Sequence, residues 1–168
     1  KIGYSSTSDY MIGMSELCLE EGIFPHSNLG IAKIDELKRF KNSNPSMGLM
    51  LESISERLME PGEAHYRCPD KYPRARIKTI SDAGKLNIPW TSGILIGIGE
   101  NWEERVDSII ELKRINDEFG HIQEIIIQNF SPKPGIKMEG SPVPTDLDMI
   151  KTVAISKILM GKDVNIQV

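Results

Sequence analysis

The chain has little of what would assign it to several large classes of protein. Its 168 residues include only two cysteines, Cys18 and Cys68, too few for a disulfide framework, which favours a reducing cytoplasm. No apolar run approaches the ~20 residues that a membrane-spanning helix requires. The formal net charge of −4 at pH 7 provides no basic footprint for nucleic acid. We therefore expect a cytoplasmic protein that binds neither membranes nor nucleic acid.

The sequence also lacks the short motifs of several enzyme classes. It has no H-E-x-x-H zinc motif, no G-x-S-x-G nucleophile motif, no phosphate-binding P-loop and no closely spaced cysteine pair, which argues against those chemistries. No G-x-G-x-x-G follows a first strand, so a doubly wound dinucleotide-binding sheet is disfavoured. A hydrophobic content of 39% and a charged content of 26% are ordinary for a globular domain with a core.

What the chain does have is an alternation of strand-like and helical segments. The β-rich runs cover residues 23–26, 48–52, 93–99, 122–129 and 164–168, and apolar residues at helical spacing occur in residues 8–21, 33–41, 73–83, 103–119 and 145–160. This alternation predicts an α/β fold with a parallel sheet and right-handed crossovers. About five strand–helix units favour a partial (β/α) TIM-like barrel, because eight strands would be needed to close one.

The two ends of the chain suggest a fragment. The sequence begins at Lys1 without a methionine and stops at Val168, inside the β-rich run 164–168. We therefore interpret residues 1–168 as an internal fragment of one barrel domain whose N-terminal and C-terminal parts are missing.

Polar residues follow several of the candidate strands. Ligands bind at the carboxyl ends of barrel strands, so we expect one shared site to include residues from these positions: His26, Asn28, Glu52, Ser53, Glu100, Asn129 and Phe130. His121 comes just before a strand instead, which indicates a structural role on the opposite face.

Glu52 is the strongest single polar candidate. It ends an apolar run, where a carboxylate could accept hydrogen bonds from ribose hydroxyls or from an amine; the alternative is a turn cap or a pair with an arginine. Arg76, near the start of the next helix, could bind a ligand carboxylate through two parallel hydrogen bonds. Spacing alone nevertheless favours a solvated helix arginine at that position.

The segment 88–100 is a buried strand rich in glycine. Gly93, Gly97 and Gly99 would weaken a strand unless the backbone must approach a neighbour or a ligand closely. Glu100 follows the run, and Asn101 with Glu104 has the spacing of a helix start, where acidic residues are common in any case. Both a ligand role and a capping role stay open for Glu100.

Three segments together resemble the radical S-adenosylmethionine (SAM) superfamily. They are Gly48-Leu49-Met50-Leu51-Glu52-Ser53, Arg76 with Ile77, and Thr91-Ser92-Gly93-Ile94-Leu95-Ile96-Gly97-Ile98-Gly99-Glu100. Three further passages, at residues 24–30, 68–71 and 120–135, are similar to the deazaflavin-forming branch of that superfamily. The likeness runs over essentially the whole chain.

The resemblance implies a fold, cofactors and partners. It implies a radical SAM barrel with a 4Fe-4S cluster held by three cysteines in a C-x3-C-x2-C loop, and a 5′-deoxyadenosyl radical formed from SAM with an electron donor. It implies a lyase whose small-molecule substrate is the adduct of tyrosine and 5-amino-6-(D-ribitylamino)uracil, supplied by a second radical SAM subunit and cyclised with loss of ammonia.

The resemblance also implies roles for individual residues. Glu52 and Ser53 would contact the ribose or methionine part of SAM, and Arg76 would contact the carboxylate of SAM. One wall of the SAM pocket would be shaped by Gly93, Gly97 and Glu100, with Asn129 and Phe130 near the adenine. No catalytic residue is assigned, but His26, Asn28 and His65 are candidates for substrate contact or radical relay.

The sequence departs from the family in one respect. The cluster-binding cysteine loop is absent, and neither Cys18 nor Cys68 has the required neighbours, so no metal ligand is expected here and the cluster ligands would lie upstream of Lys1. The alternatives are another radical SAM enzyme, of a thiazole or menaquinone pathway, a non-catalytic remnant, or an ordinary phosphate-binding barrel enzyme, which no glycine-rich phosphate loop supports.

Overall fold

The structure is a computed structural model that describes residues 3–168, and within them one parallel sheet runs through the molecule. Its five strands are β1 (His26–Asn28), β2 (Ser46–Gly48), β3 (Trp90–Ile96), β4 (Ile122–Asn129) and β5 (Asn165–Gln167). They lie side by side in chain order, and every neighbouring pair is parallel. The predicted α/β fold with five strand–helix units is therefore confirmed.

Helices alternate with the strands. They are α1 (Thr7–Glu20), α2 (Ile34–Lys41), α3 (Pro73–Lys85), α4 (Trp102–Phe119) and α5 (Asp146–Met160), and the long connection between β2 and α3 contains two short 3₁₀ helices, Glu56–Met59 and Pro69–Lys71. The sequence explains where several of these helices begin and end. Asn101 and Thr145 each form a capping box at a helix start, and Gly120 ends α4 in the left-handed conformation, at a φ of 65°.

The core lies between the sheet and the helices. Alternate strand side chains point into it, among them Trp90, Ile94 and Ile96 of β3 and Ile125 and Ile127 of β4, all almost completely buried. The intervening residues, such as Thr91 and Glu124, face the other side of the sheet, where a cavity lies. This two-residue alternation is the basic property of a β-strand.

The first two strands begin at positions that the sequence pattern did not predict. Ile23 and Phe24 are 61% and 82% exposed, and Ile23 N–H donates to Cys18 O at the end of α1. These two residues therefore belong to the turn that follows α1 and not to a strand. β2 ends at Gly48. Beyond that end, Glu52 forms one isolated parallel β-bridge with Ile94. Glu52 has a φ of 65°, which is incompatible with a continued strand.

The glycine-rich strand β3 is also shifted relative to its prediction. It covers Trp90–Ile96 rather than residues 93–99, because Gly97 and Gly99 adopt φ values of 88° and 101° and turn the chain toward α4. In contrast, β4 occupies residues 122–129 as predicted.

Candidate functional site

The carboxyl ends of the first strands surround a cavity of about 540 Å³, within the size range of small-molecule sites. It is lined by His26, Asn28, Gly30, Leu49, Met50, Glu52, Arg76, Thr91, Glu124 and Ile126. Four of the residues singled out from the sequence therefore meet here: His26, Asn28, Glu52 and Arg76. They come from three different parts of the chain, which the parallel sheet brings to one side.

Glu52 lies at the centre of a cluster formed by Lys71, Arg76 and His65. Its Oε1 accepts a hydrogen bond from Lys71 and lies 3.3 Å from Arg76 Nη1, while its Oε2 lies 3.3 Å from His65 Nε2. Burial by itself would raise the pKa of Glu52, but the hydrogen bonds of His65 and Lys71 and the charge of Arg76 lower that pKa from 4.5 to about 2. Glu52 is thus held as a carboxylate.

Arg76 is buried rather than solvated. Only 5% of it is exposed, its Nε donates to Asp70 O at 2.8 Å, and its Nη1 donates to Met50 O. The solvated helix arginine that spacing favoured is therefore wrong. The physical reason is that the chain after β2 folds back over the start of α3, so the guanidinium meets backbone carbonyls in place of water. Its Nη2 makes no hydrogen bond to the described residues and remains available beside the cavity.

His65 reaches this cluster from the long connection between β2 and α3. It is 6% exposed, its Nε2 faces Glu52, and its Nδ1 is a buried nitrogen with no hydrogen-bond partner among residues 3–168. Lys71 comes from the same connection. No site role was predicted for Lys71, because a lysine in a charged loop carries no distinctive signal.

His26 and Asn28 lie on β1, against a strand position where only glycine fits. His26 Nδ1 is 2.8 Å from Ser46 Oγ. A Cβ placed on Gly48 would lie 2.5 Å from Asn28 Oδ1 and 3.0 Å from His26 Nε2, well inside normal contact. Glycine at this position thus lets both polar side chains lie flat against the sheet and reach the cavity.

A second cavity, of about 560 Å³, lies where β3 leads into α4. Gly97 and Glu100 line it, together with residues of the segment 137–148. Glu100 accepts hydrogen bonds from Gly97 N–H and Ile98 N–H, both at 2.9 Å, and from Arg105 Nη2 at 2.6 Å. Its side chain is only 2% exposed, so Glu100 fixes the turn that forms this wall.

The other predicted site residues lie close to these cavities without lining them. Ser53 is buried in the loop, where its Oγ accepts from Ser55 N–H at 3.1 Å. Gly93 lies in mid-strand, where an added Cβ would be 2.1 Å from Ile126 O and 2.7 Å from Met50 Cε. Asn129 ends β4 on the exposed side, and Phe130 N–H donates to Ile96 O at 2.8 Å.

His121 and the two cysteines lie away from the cavity walls described above. His121 is buried at the amino edge of the sheet, with its Nε2 3.0 Å from Ile80 O, and burial lowers its pKa; the structural role predicted for it fits this position. Cys18 and Cys68 are both free and half-buried. Residues 3–168 contain no group of three His, Cys, Asp or Glu side chains that could hold a metal ion.

Two of the cavity-lining polar residues, Thr91 and Glu124, were missed from the sequence. Both lie inside strands rather than at strand ends, and the end-of-strand rule selects only the latter. The available signal was Glu124 itself, the one charged residue of β4.

Comparison with known proteins places this geometry in context. No family model matches the chain. The chain is 56% identical over 167 residues to the 7,8-didemethyl-8-hydroxy-5-deazariboflavin synthase of Methanothermobacter thermautotrophicus, covering 99% of this chain and 50% of that protein. It is 49% identical to the synthase of the same name from Methanosarcina acetivorans, covering 100% of this chain and 50% of that protein. The chain thus spans about half the length of the curated relatives it matches.

Solved structures show the same fold. The crystal structure of methylornithine synthase (PylB) aligns with a TM-score of 0.78 at 17% identity, covering 95% of this chain and 45% of that one. Streptococcus suis SuiB bound to S-adenosylmethionine aligns with a TM-score of 0.65 at 15% identity, covering 93% and 35%. None of the helices in residues 3–168 is long and apolar enough to cross a membrane. The chain is thus similar over its whole length to part of the 7,8-didemethyl-8-hydroxy-5-deazariboflavin (FO) synthases, and its parallel sheet has the fold of part of the barrels in these solved structures.

Proposed function

We propose that the full-length protein is an FO synthase subunit, a radical SAM lyase. It cyclises the adduct of tyrosine and 5-amino-6-(D-ribitylamino)uracil to FO, with loss of ammonia, in the biosynthesis of coenzyme F420. The observation that carries this proposal is the 56% identity to a named synthase over 99% of the chain. In this proposal residues 1–168 are part of one barrel domain, and the protein works in the cytoplasm.

The first cavity suits SAM as the bound cofactor. The Glu52 carboxylate can accept hydrogen bonds from ribose hydroxyls or from an amine, and Arg76 Nη2 can donate to a carboxylate. Gly48 and Gly93 give room on the sheet wall for the side chains of Asn28 and Met50, which an added Cβ would approach to 2.5 Å and 2.7 Å. The SAM-bound state of the structurally similar SuiB supports this assignment. When bound, SAM and a 4Fe-4S cluster supply the radical that takes a hydrogen atom from the substrate.

The cluster itself does not fit the residues described here. Cys18 lies on α1 and Cys68 in the connection before α3, and no third ligand accompanies either of them among residues 3–168. We therefore assign the cluster ligands to the part of the full-length protein upstream of Lys1. The chain's length, about half that of its relatives, is compatible with that assignment.

The chain's own residues then have three tasks. Arg76 and the cations around Glu52 keep that carboxylate ionised and oriented for SAM. Glu100 holds the turn at Gly97 that forms the neighbouring wall, beside which Asn129 and Phe130 lie near the adenine. His26, Asn28 and His65 remain the candidates for substrate contact. The partners in this proposal are a second FO synthase radical SAM subunit, which supplies the substrate, and an electron donor.

The test is an anaerobic assay of the full-length protein after iron–sulfur reconstitution. It is mixed with the partner subunit, tyrosine, 5-amino-6-(D-ribitylamino)uracil, SAM and dithionite, and both 5′-deoxyadenosine and fluorescent FO are measured. We expect both products from the natural protein and neither from an Arg76→Leu variant, while Arg114→Leu, at an exposed helix arginine, serves as the matched control. Release of 5′-deoxyadenosine without FO, under conditions in which an authentic FO synthase makes FO, would refute the substrate assignment.

A further inference from the structure

One register row of the sheet crosses the interior of the first cavity. Parallel pairing aligns Asn28 with Gly48, Gly48 with Thr91, Thr91 with Glu124, and Glu124 with Asn165. Asn28, Thr91 and Glu124 all line the cavity. Apart from Gly48, each member of this row, here called the polar row, carries hydrogen-bonding atoms in its side chain.

Glu124 differs from the other carboxylate in this cavity. Glu52 is paired with the cations Lys71 and Arg76 and faces His65, whereas Glu124 makes no ion pair or side-chain hydrogen bond with the described residues. A carboxylate is an acceptor only, and Glu124 accepts no hydrogen bond from the described residues. It is therefore placed to accept O–H or N–H groups from a ligand in the cavity.

The next row toward the carboxyl edge has the opposite character. Gly93 pairs with Ile126, and the Met50 side chain reaches over Gly93, where an added Cβ would lie 2.7 Å from Met50 Cε. Met50 and Ile126 both line the cavity. This gives a flat apolar band, suited to an aromatic ring, directly beside the polar row.

We propose that the cavity orients its substrate by these two rows. The polyol chain lies along the polar row with a hydroxyl donating to Glu124, and the ring system lies between Met50 and Ile126, toward Glu52. This inference rests on the proposed function, since the deazariboflavin in the relatives' names carries a ribityl chain on a ring system. Glu124 and Thr91 are then specificity-determining residues for the polyol.

Binding measurements test the orientation without turnover. The full-length protein and its variants are titrated anaerobically with FO and with its analogue in which methyl replaces the ribityl chain. We expect the natural protein to prefer FO, and Glu124→Gln to weaken FO binding by about tenfold to a hundredfold, the range for a hydrogen bond to a charged group. Binding of the methyl analogue should stay unchanged. Thr91→Val, nearly isosteric, should weaken FO binding about threefold.

Matched controls separate the polar row from general damage. Glu118→Gln removes a carboxylate whose ion pair with Arg114 is exposed and should change neither affinity. Circular dichroism establishes whether each variant is folded. If Glu124→Gln does not fold, the proposal is tested with Thr91→Val.

Three outcomes would overturn the proposal: no preference for FO in the natural protein, equal losses for both ligands, or no loss in either variant. The turnover assay tests the proposed function separately: if the proposed function is wrong, no FO forms in that assay, regardless of the titration results.

Discussion

Replacing Glu52 by glutamine should destabilise the protein by an amount that depends on pH. The pKa of Glu52 is lowered from 4.5 to about 2, and since one pKa unit equals about 1.4 kcal/mol, the ionised carboxylate contributes about 3 kcal/mol to the free energy of unfolding at pH 7. Because the folded-state pKa is below the unfolded-state value, this contribution is complete above about pH 4.5 and disappears as the pH falls toward 2. Urea denaturation of the full-length apoprotein at several pH values measures it.

The control for this experiment is an exposed glutamate. Glu118 forms an ion pair with Arg114 in which both side chains are 54% exposed, and Glu118→Gln should change the free energy of unfolding by less than about 1 kcal/mol. The stability gap between the natural protein and Glu52→Gln should narrow steadily below pH 4.5. If the free energies of unfolding of the natural protein and Glu52→Gln differ by the same amount at pH 3 and pH 7, the charge of Glu52 is not the cause of the stabilisation. Such a result would mean that the shape of the side chain at residue 52 matters instead.

Three further predictions concern packing, the buried ion pair and the cluster. Gly93→Ala should lower the free energy of unfolding by about 1–3 kcal/mol, because its Cβ would meet Ile126 O at 2.1 Å, whereas Gly140→Ala, with open space around it, should be neutral in the same urea titration. Arg105→Met should cost about 3–5 kcal/mol in thermal or urea unfolding, because it leaves the buried Glu100 carboxylate without its cation; a loss below 1 kcal/mol would refute this. The 168-residue chain alone should acquire no 4Fe-4S absorption or EPR spectrum after incubation with iron and sulfide, and such a spectrum would refute our assignment of the cluster ligands.

The sequence predicted the fold well where local signals were strong. The helix starts at Asn101 and Thr145 have capping residues whose signal is local to the sequence. β4 is an eight-residue strand with four isoleucines and no glycine or proline. β1 and β2 were misplaced because both are only three residues long. In such short strands, which residues form the strand depends on pairing with the neighbouring strand, and the periodicity of the sequence does not reveal that pairing.

The site was predictable only in part, for a related reason. Glu52 could be proposed because it follows a strand, but its partners could not, since Lys71 and His65 reach it through a long connection of irregular shape. Spacing alone favoured a solvated Arg76, because helix spacing says nothing of a loop that folds over the helix start. Glu124 becomes recognisable only when the register of β3 and β4 is known.

The turn after β3 has a consequence for which ligands this edge of the sheet can accept. Successive backbone amides at such a turn commonly form a concave anion site, and here Gly97 N–H and Ile98 N–H converge in that way. The chain fills the site with its own anion, because Glu100 accepts from both amides. A phosphate approaching this turn would find the donors occupied and a buried negative charge behind them. This turn is therefore selective against phosphorylated ligands, so an anionic group at the carboxyl edge would have to bind elsewhere, as proposed for Arg76.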